Sequence, residues 1–219
     1  MDPDMTDETL KTLTKAYSAR YTDRGSRFYA YAFPVMDLQE IESRRTDTAD
    51  KHPDATHHCY AWRYNPFQPE EFSQDDGEPA GTAGLPILGV IKSALLVNVL
   101  IIVVRYFGGT KLGKAGLVQA YREAAALSIA SADKKSLARF LPFTVRYPYD
   151  QENTIRELIN RFRMDIVEET YLENVSMTLY CKADHAADLA GILDHLAYLG
   201  ITFEKKPECF RPVESKSPN

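Results

Sequence analysis

The chain has 219 residues, of which 44% are hydrophobic and 26% charged, and its net charge is −5 at pH 7. These values predict a globular protein with two domains and argue against indiscriminate binding to nucleic acid, while leaving room for a local basic patch. No segment approaches the ~20 apolar residues of a membrane span, and the acidic start lacks the apolar core of a signal peptide. We therefore expect a cytoplasmic protein.

The cysteines are few and scattered. Cys59, Cys181 and Cys209 are odd in number and lack C-x-x-C spacing. This pattern is typical of reduced cytosolic thiols rather than of disulfides or a structural zinc site. The sequence predicts no cofactor and no bound metal.

The first half of the chain is predicted to begin with two strands, at 15–22 and 26–35, joined by a turn at 23–25. A helix at 37–50 and a third strand at 56–64 follow. Asp37 is the expected N-cap of the helix. In the third strand Tyr60, Trp62 and Tyr64 share one face, which we expect to be the core face. His57 and His58 point to opposite faces, so ordinary hydrogen-bonded histidines are favoured over a shared metal site.

Residues 65–84 form the main predicted loop, which is rich in Pro and Gly. Its acidic group of Asp75, Asp76 and Glu78 could hold Mg²⁺ or Ca²⁺, but the ligand order of an EF-hand is missing. A solvated acidic turn, or a partner for the basic loop described next, is the favoured interpretation. Thr82 is the expected cap of a helix that starts at Gly84.

The segment 98–122 is the most informative part of the sequence. Residues 99–104 are an apolar, β-branched run that predicts a strand buried on both faces. A glycine-rich turn follows at 108–116, and then a helix from Leu117 to about Ala132. The segment contains four cations and no acidic residue: Arg105, Lys111, Lys114 and Arg122.

A glycine-rich turn before a helix offers backbone N–H groups to an anion such as phosphate, and lysines beside it add charge. The spacing matches neither the P-loop nor the dinucleotide fingerprint. The alternative is that the glycines only allow a tight turn and the lysines are solvated. The spacing alone does not decide between these two interpretations.

The second half is predicted to form a domain of its own, with the boundary near residue 136. Strands at 140–149, 165–171, 175–181 and 201–205 alternate with two amphipathic helices, for which Asp150 and Asp184 are the expected caps. The order βαββαβ is that of the ferredoxin-like split unit. The expected division is 13–135, 137–206 and a disordered tail at 207–219.

Four blocks of sequence resemble the YigZ/IMPACT family, in its bacterial two-domain form. They contain Gly25-Ser26-Arg27-Phe28, His52-Pro53-Asp54-Ala55-Thr56-His57, Asp75-Asp76-Gly77-Glu78-Pro79 and Val104-Arg105-Tyr106-Phe107-Gly108-Gly109. Ala115 departs from the family, which usually has a glycine there, so side chains rather than backbone carry the anion prediction.

The resemblance implies an α+β protein whose first domain is similar to domain IV of elongation factor G and the GHMP kinases, and whose second is similar to domain V. It therefore suggests binding to RNA or the ribosome. Eukaryotic relatives regulate translation by blocking activation of the amino-acid-starvation kinase, a pathway that bacteria lack. No established enzymatic activity comes with the family, and no catalytic residue is assigned.

Three functions follow as hypotheses. In the first, the protein binds RNA or the ribosome through phosphate contacts from Arg27, His57, Arg105, Tyr106, Gly108, Gly109, Lys111, Gly113 and Lys114. In the second, it is a protein-binding adaptor that uses the acidic loop and the second domain. In the third, it is an enzyme for a phosphorylated small molecule, with Mg²⁺ on the acidic loop and His57 or Asp76 as base.

Overall fold

The computed structural model describes residues 10–213, and these are mixed α and β with two sheets and five α-helices. They divide into two compact units by their internal contacts. One comprises residues 10–137 together with 212–213, and the other Ala138–Arg211. None of the helices in residues 10–213 is long and apolar enough to cross a membrane.

The elements of the first unit are β1 (Lys11–Leu13), β2 (Tyr17–Asp23), β3 (Ser26–Pro34), α1 (Leu38–Lys51), β4 (His57–Tyr64), β5 (Glu70–Gln74), α2 (Gly84–Ser93), β6 (Val99–Tyr106) and α3 (Gly113–Ala130). Five of the strands form an antiparallel sheet in the order β2-β3-β6-β4-β5. The apolar strand β6 is central, and its residues from Val99 to Arg105 are all buried, which confirms the prediction of a strand covered on both faces.

Side chains on one face of this sheet belong to the main hydrophobic core, which α2 and α3 complete. Phe28, Ala30 and Ala32 of β3 lie on that face, next to Tyr121 of α3. The other face holds a smaller cluster that includes Ile41 of α1. Asp37 caps α1 as predicted, because its Oδ1 accepts a hydrogen bond from the Glu40 N–H at 2.7 Å.

Two predictions about the strands of this unit are wrong. In β4 the residues of the main core are Cys59 and Ala61, both fully buried, whereas Tyr60 belongs to the smaller cluster and Trp62 is only partly buried. Small side chains fit there because two helices already fill that side. The main loop also contains an unpredicted edge strand, β5, whose polar residues carry little of the usual strand signal.

The elements of the second half are β7 (Lys134–Tyr147), α4 (Glu152–Phe162), β8 (Asp165–Tyr171), β9 (Val175–Lys182), α5 (Ala186–His195), β10 (Thr202–Lys205) and β11 (Cys209–Val213). Strand β7 starts earlier than predicted, and its first three residues pair with β1. The strand order β10-β7-β9-β8, with antiparallel neighbours throughout, is that of the predicted βαββαβ unit.

Local details of the second half differ from the predictions. Asp150 and Asp184 do not cap the α-helices, because each lies in a short 3₁₀ turn that precedes its helix. The prediction of a disordered tail is wrong at Cys209–Val213, because these residues form β11, which pairs with β7. The Arg211 guanidinium of β11 lies 4.1 Å from the ring centroid of Tyr180. Residues 1–9 and 214–219 lie outside the described part of the chain.

Candidate phosphate-binding site

A cavity of about 370 Å³ lies beside the first turn of α3. It is lined by Glu78, Pro79, Arg105, Phe107, Lys111, Leu112, Gly113, Lys114 and Leu117. The structure therefore brings the predicted basic segment and one residue of the acidic loop to the same place. We call this cavity the α3 cleft.

The turn that forms the α3 cleft depends on glycine at two positions. Gly109 and Gly113 have φ of 88° and 69°, a conformation that L side chains rarely adopt. The helix begins at Gly113, four residues earlier than predicted, so Ala115 lies in its first turn and needs no positive φ. Leu112 is the N-cap and supplies no side-chain hydrogen bond, which leaves the first backbone N–H groups of α3 available to an anion.

Arg105 carries the buried positive charge of the cleft, with only 5% of its surface exposed. Its Nη1 donates to Glu78 Oε1 at 2.6 Å and its Nη2 to Ser26 Oγ at 3.3 Å. Its Nε is buried without a hydrogen-bond partner among the described residues. The guanidinium carbon lies 5.6 Å from the ring centroids of both Phe28 and Phe107. Glu78 and Ser26 thus hold the two terminal nitrogens of Arg105.

Glu78 balances this charge from the same buried position. Its Oε1 also accepts a hydrogen bond from the Tyr121 hydroxyl at 2.8 Å, and His57 Nε2 lies 3.9 Å away. Burial raises the pKa of Tyr121 far above its usual range, so the phenol remains a donor. Burial likewise raises the pKa of the Cys59 thiol, whose sulfur is 3.3 Å from the Tyr121 oxygen. The thiol is therefore neutral and a poor nucleophile.

The other two acidic side chains serve the backbone. Asp75 accepts hydrogen bonds from the N–H groups of Gly81, Ala83 and Gly84 at 2.8–2.9 Å, and so caps α2 in place of Thr82, whose hydroxyl donates to the Pro79 carbonyl. Burial raises the pKa of Asp75, but the three N–H groups outweigh this effect and the pKa is lowered.

Asp76 holds the start of β4. Its Oδ2 accepts from the His58 N–H at 2.6 Å, and its carbonyl oxygen accepts from His57 Nδ1 at 2.7 Å. His57 is on the same face of the sheet as Arg105, its cross-strand neighbour. It is therefore held as a hydrogen-bonded histidine near the cleft, as the sequence favoured.

Lys111 and Lys114 are exposed at the mouth of the cleft. Within residues 10–213 neither lysine forms an ion pair or a side-chain hydrogen bond. By contrast, Lys92 is paired with Glu71 at 2.7 Å. Two unpaired ammonium groups thus lie beside a buried arginine and an uncapped helix start, an arrangement that favours an anion.

Five predicted phosphate-binding residues do not line the cleft: Arg27, His57, Tyr106, Gly108 and Gly109. Tyr106 follows Arg105 on β6 and points to the opposite face, where the Arg27 guanidinium lies 5.2 Å from its ring centroid. Gly108 has a packing role, because a Cβ there would come within 1.9 Å of the Gly25 carbonyl carbon. Contact of Arg27 and Tyr106 with RNA remains a prediction, and it would involve a separate surface.

Sequence reasoning missed the side chains that hold Arg105 and Glu78 in place. Ser26 and Tyr121 come from elements far away in the chain, and nothing in their local sequence indicates these contacts. The alternation of β3 places Phe28 on the core face, and the fold makes it the cross-strand neighbour of Arg105.

Comparisons with known proteins match both halves of the chain. The Impact N-terminal domain matches residues 24–129, and the Domain of unknown function (DUF1949) matches 145–191. An "IMPACT family member in pol 5'region" from Thermus thermophilus is 40% identical over 147 residues, which are 67% of this chain and 78% of that protein. The "IMPACT family member YigZ" from Escherichia coli is 32% identical over 157 residues, 70% of this chain and 74% of that protein.

A solved structure supports the same fold. It is described as "Crystal structure of an hypothetical protein", has a TM-score of 0.61 and is 25% identical, covering 90% of this chain and 96% of that one. The two matched domains lie one in each half of the chain. The chain belongs to the IMPACT family, in the two-domain form of YigZ.

Proposed function

We propose that the protein is a non-enzymatic RNA-binding protein that associates with the ribosome and acts in translation regulation. The observation that carries the proposal is the α3 cleft, where Lys111 and Lys114 are unpaired among the described residues and lie beside the buried Arg105. On a chain with net charge −5, such a cluster fits a specific anionic ligand better than general attraction to nucleic acid.

The neighbouring aromatic side chain favours RNA among possible anions. Phe107 lines the cleft and is 47% exposed. Single-stranded RNA is commonly bound by cations that contact its phosphates and by aromatic rings on which its unpaired bases stack. The resemblance of the two domains to domains IV and V of elongation factor G points to the ribosome as the source of this RNA. Such a target would place the protein in the cytoplasm.

The acidic residues near the cleft support binding rather than catalysis. Asp75 caps α2, Asp76 holds β4, and Glu78 is paired with Arg105. Each carboxylate would have to give up a structural contact before it could act as a base or hold a cation.

The test is sedimentation with ribosomes, and binding to structured RNA, at low salt. Lys111→Glu and Lys114→Glu should each weaken binding, and each should reduce the salt slope by about one counterion. Arg122→Glu is the matched control, because it makes the same charge change at an exposed position of α3, about 12 Å further along the helix. Failure of the unmodified protein to bind, or equal losses in all three variants, would refute the proposal.

A second candidate is a protein-binding adaptor, which an exposed strand favours. Strand β8 pairs on one side only, with β9, and it exposes Ile166, Val167 and Tyr171. An exposed edge strand can accept a strand from another protein. Capture of partners from lysate with and without ribonuclease separates the candidates, because ribonuclease abolishes capture through RNA but not capture at β8.

A further inference from the structure

We propose that a second RNA-contact surface lies on the other face of the first sheet, where unpaired bases of a single strand stack on two arginine–tyrosine pairs. The pairs are Arg20 with Tyr29 and Arg27 with Tyr106, and together we call them the arginine–tyrosine platform. This surface is separate from the α3 cleft, because Tyr106 belongs to the cluster on the opposite face of the sheet from the main core. The inference rests on the proposed RNA-binding function and names single-stranded RNA as the ligand.

The register of three strands brings the platform together. Arg20 of β2 is the cross-strand partner of Tyr29 on β3, and Arg27 of β3 is the partner of Tyr106 on β6. The guanidinium carbon of Arg20 lies 5.6 Å from the ring centroid of Tyr29, and that of Arg27 lies 5.2 Å from the ring centroid of Tyr106. The two tyrosine rings meet edge to face, with their centroids 5.8 Å apart. The four side chains therefore form one patch rather than two separate pairs.

The platform lies at an uncovered part of its face. Arg20 and Arg27 are exposed, and Tyr29 and Tyr106 are only partly buried. The residues of β2 that share this face are all exposed. Helix α1 packs its Ile41 against the cluster at the middle of the sheet instead. A ligand can therefore approach the platform from the side of β2.

A histidine holds the tyrosine rings in place. The Nδ1 of His52 is 2.8 Å from the Tyr106 hydroxyl oxygen, and its Nε2 is 2.7 Å from the Tyr31 hydroxyl oxygen. The imidazole also packs against Tyr29, with the ring centroids 5.5 Å apart. Side chains that are fixed before binding lose little conformational entropy when a ligand arrives. The aromatic part of the platform is thus preformed.

The charge of the platform favours a polyanion. Within residues 10–213 neither Arg20 nor Arg27 forms an ion pair. By contrast, Arg44 and Arg45 of α1, which also lie over rings of this face, are each paired with a glutamate of their own helix. Asp23 is the sole acidic residue between positions 20 and 27, and the alternation of the strand places it on the other face. The platform therefore keeps two positive charges for a ligand, on a chain with a net charge of −5.

Single-stranded RNA fits this combination because it offers phosphates and unpaired bases together. Bases stack on tyrosine rings and on guanidinium planes, and arginine adds cation–π attraction. A proline-rich peptide also docks on aromatic surfaces, but an uncharged peptide gains nothing from the two arginines. Duplex RNA keeps its bases within its own stack, so it cannot use the tyrosines.

The experiment uses a short oligouridine that contains one 2-aminopurine, a base whose fluorescence is quenched when it stacks on another ring. The full-length protein should quench this fluorescence, and it should bind the single strand more tightly than a duplex of the same sequence. Arg27→Lys keeps the charge at an exposed position and removes the guanidinium plane. It should reduce the quenching and weaken binding at least about fivefold, which is the effect of losing one stacking contact.

The matched control is Arg161→Lys in the second unit. Arg161 is also exposed, and its guanidinium carbon lies 5.3 Å from the ring centroid of Phe162. This change should leave both the affinity and the quenching as they are in the unmodified protein. If Arg27→Lys does no more than Arg161→Lys, the platform is not a stacking surface and the inference is refuted.

Lys111→Glu and Lys114→Glu, measured on the same RNA, separate this inference from the proposed function. Losses in these two variants together with an unaffected Arg27→Lys would leave the α3 cleft as the RNA site and refute the platform. Losses in Arg27→Lys together with unaffected lysine variants would support the platform and refute the role of the cleft. If no RNA binds, both proposals fail. A proline-rich peptide that binds the unmodified protein and displaces the RNA would assign the platform to a protein partner and overturn the inference.

Discussion

Replacing Glu78 with glutamine should strongly destabilise the first unit, although the glutamine side chain has nearly the same shape as that of glutamate. The substitution removes the charge that balances Arg105, and both side chains are more than nine-tenths buried. The Arg105 charge would then be buried without a counter-ion. Loss of one partner from a buried pair typically costs about 3–5 kcal/mol.

The structure places the expected cost near the lower end of that range. The glutamine amide oxygen can still accept the hydrogen bond that the Tyr121 hydroxyl donates to Glu78 at 2.8 Å, so only the charge is lost. We therefore expect a loss of about 3 kcal/mol in the free energy of unfolding. For a unit of this size that loss lowers Tm by roughly 10 °C.

Urea unfolding followed by tryptophan fluorescence measures the stability of the first unit. Trp62 is the single tryptophan of the chain, and its ring stacks on Phe72 with the centroids 5.9 Å apart, so its emission reports the unfolding of the first sheet. Glu42→Gln is the control, because it breaks the exposed Arg45–Glu42 pair at 2.7 Å. Surface pairs of this kind contribute at most about 0.5 kcal/mol.

A double-mutant cycle tests whether the cost comes from the pair. Arg105→Met alone should also be costly, because it leaves the Glu78 carboxylate buried without its cation. The combination of Glu78→Gln with Arg105→Met should cost clearly less than the two single changes added together. If Glu78→Gln is no more harmful than Glu42→Gln, or if the two changes are additive, our account of the buried pair is wrong.

Two further predictions concern the turn at β6 and the histidine at the end of α1. Gly108→Ala should lower Tm and reduce the free energy of unfolding by about 1–3 kcal/mol, because the new Cβ would meet the Gly25 carbonyl carbon at 1.9 Å. The control is Gly89→Ala, whose Cβ would have nothing within 4 Å and which should raise the free energy of unfolding by about 0.5–1 kcal/mol. Equal shifts in Tm would refute the steric account. Burial, with smaller contributions from His58 and Lys51, lowers the pKa of His52. The unfolded chain therefore binds the His52 proton at a higher pH than the folded chain does, so stability falls as the pH drops below about 6.5. The difference in Tm between the unmodified protein and His52→Gln should therefore narrow on acidification. A difference that stays constant would contradict this.

Features that depend on local sequence could be predicted, because their signals lie within a few residues. The apolar run of β6, the Asp37 cap of α1 and the alternating strands and helices of the second half are of this kind. In each case the pattern of buried positions has the period of the element that it forms. The order of the strands in the second half then follows from the βαββαβ sequence of elements.

Contacts between distant residues could not be predicted in the same way. Asp75 caps α2 from nine positions before Gly84, outside the window in which capping residues are normally sought. The acidic residues of the main loop have the appearance of a metal site or a solvent-facing turn, although two of the three hold backbone N–H groups. Carboxylates look alike in a sequence, and only the fold shows which partner each has.

One error at the site could have been avoided with the period of a strand. The predicted end of β6 at Val104 left Arg105 and Tyr106 outside the strand, where both could face one ligand. The strand in fact continues through Tyr106, so the two side chains point to opposite faces of the sheet. Two more residues of the same alternation are enough to separate Tyr106 from Arg105, because neighbouring positions of a strand face opposite sides.

The role of Glu78 explains why the cleft can combine a stable fold with an unsatisfied arginine. Without Glu78, the cleft would hold three positive charges, and its buried guanidinium would destabilise the unit that forms it. With Glu78, the pair is stable, yet Glu78 and Ser26 take only one N–H from each of the two terminal nitrogens of Arg105. The carboxylate therefore weakens the attraction of the cleft for anions, but it holds the Arg105 guanidinium in place. Anions that reach Arg105 can compensate for that loss, and anions that only meet the two surface lysines cannot. On this reasoning the buried pair is a source of selectivity as well as of stability.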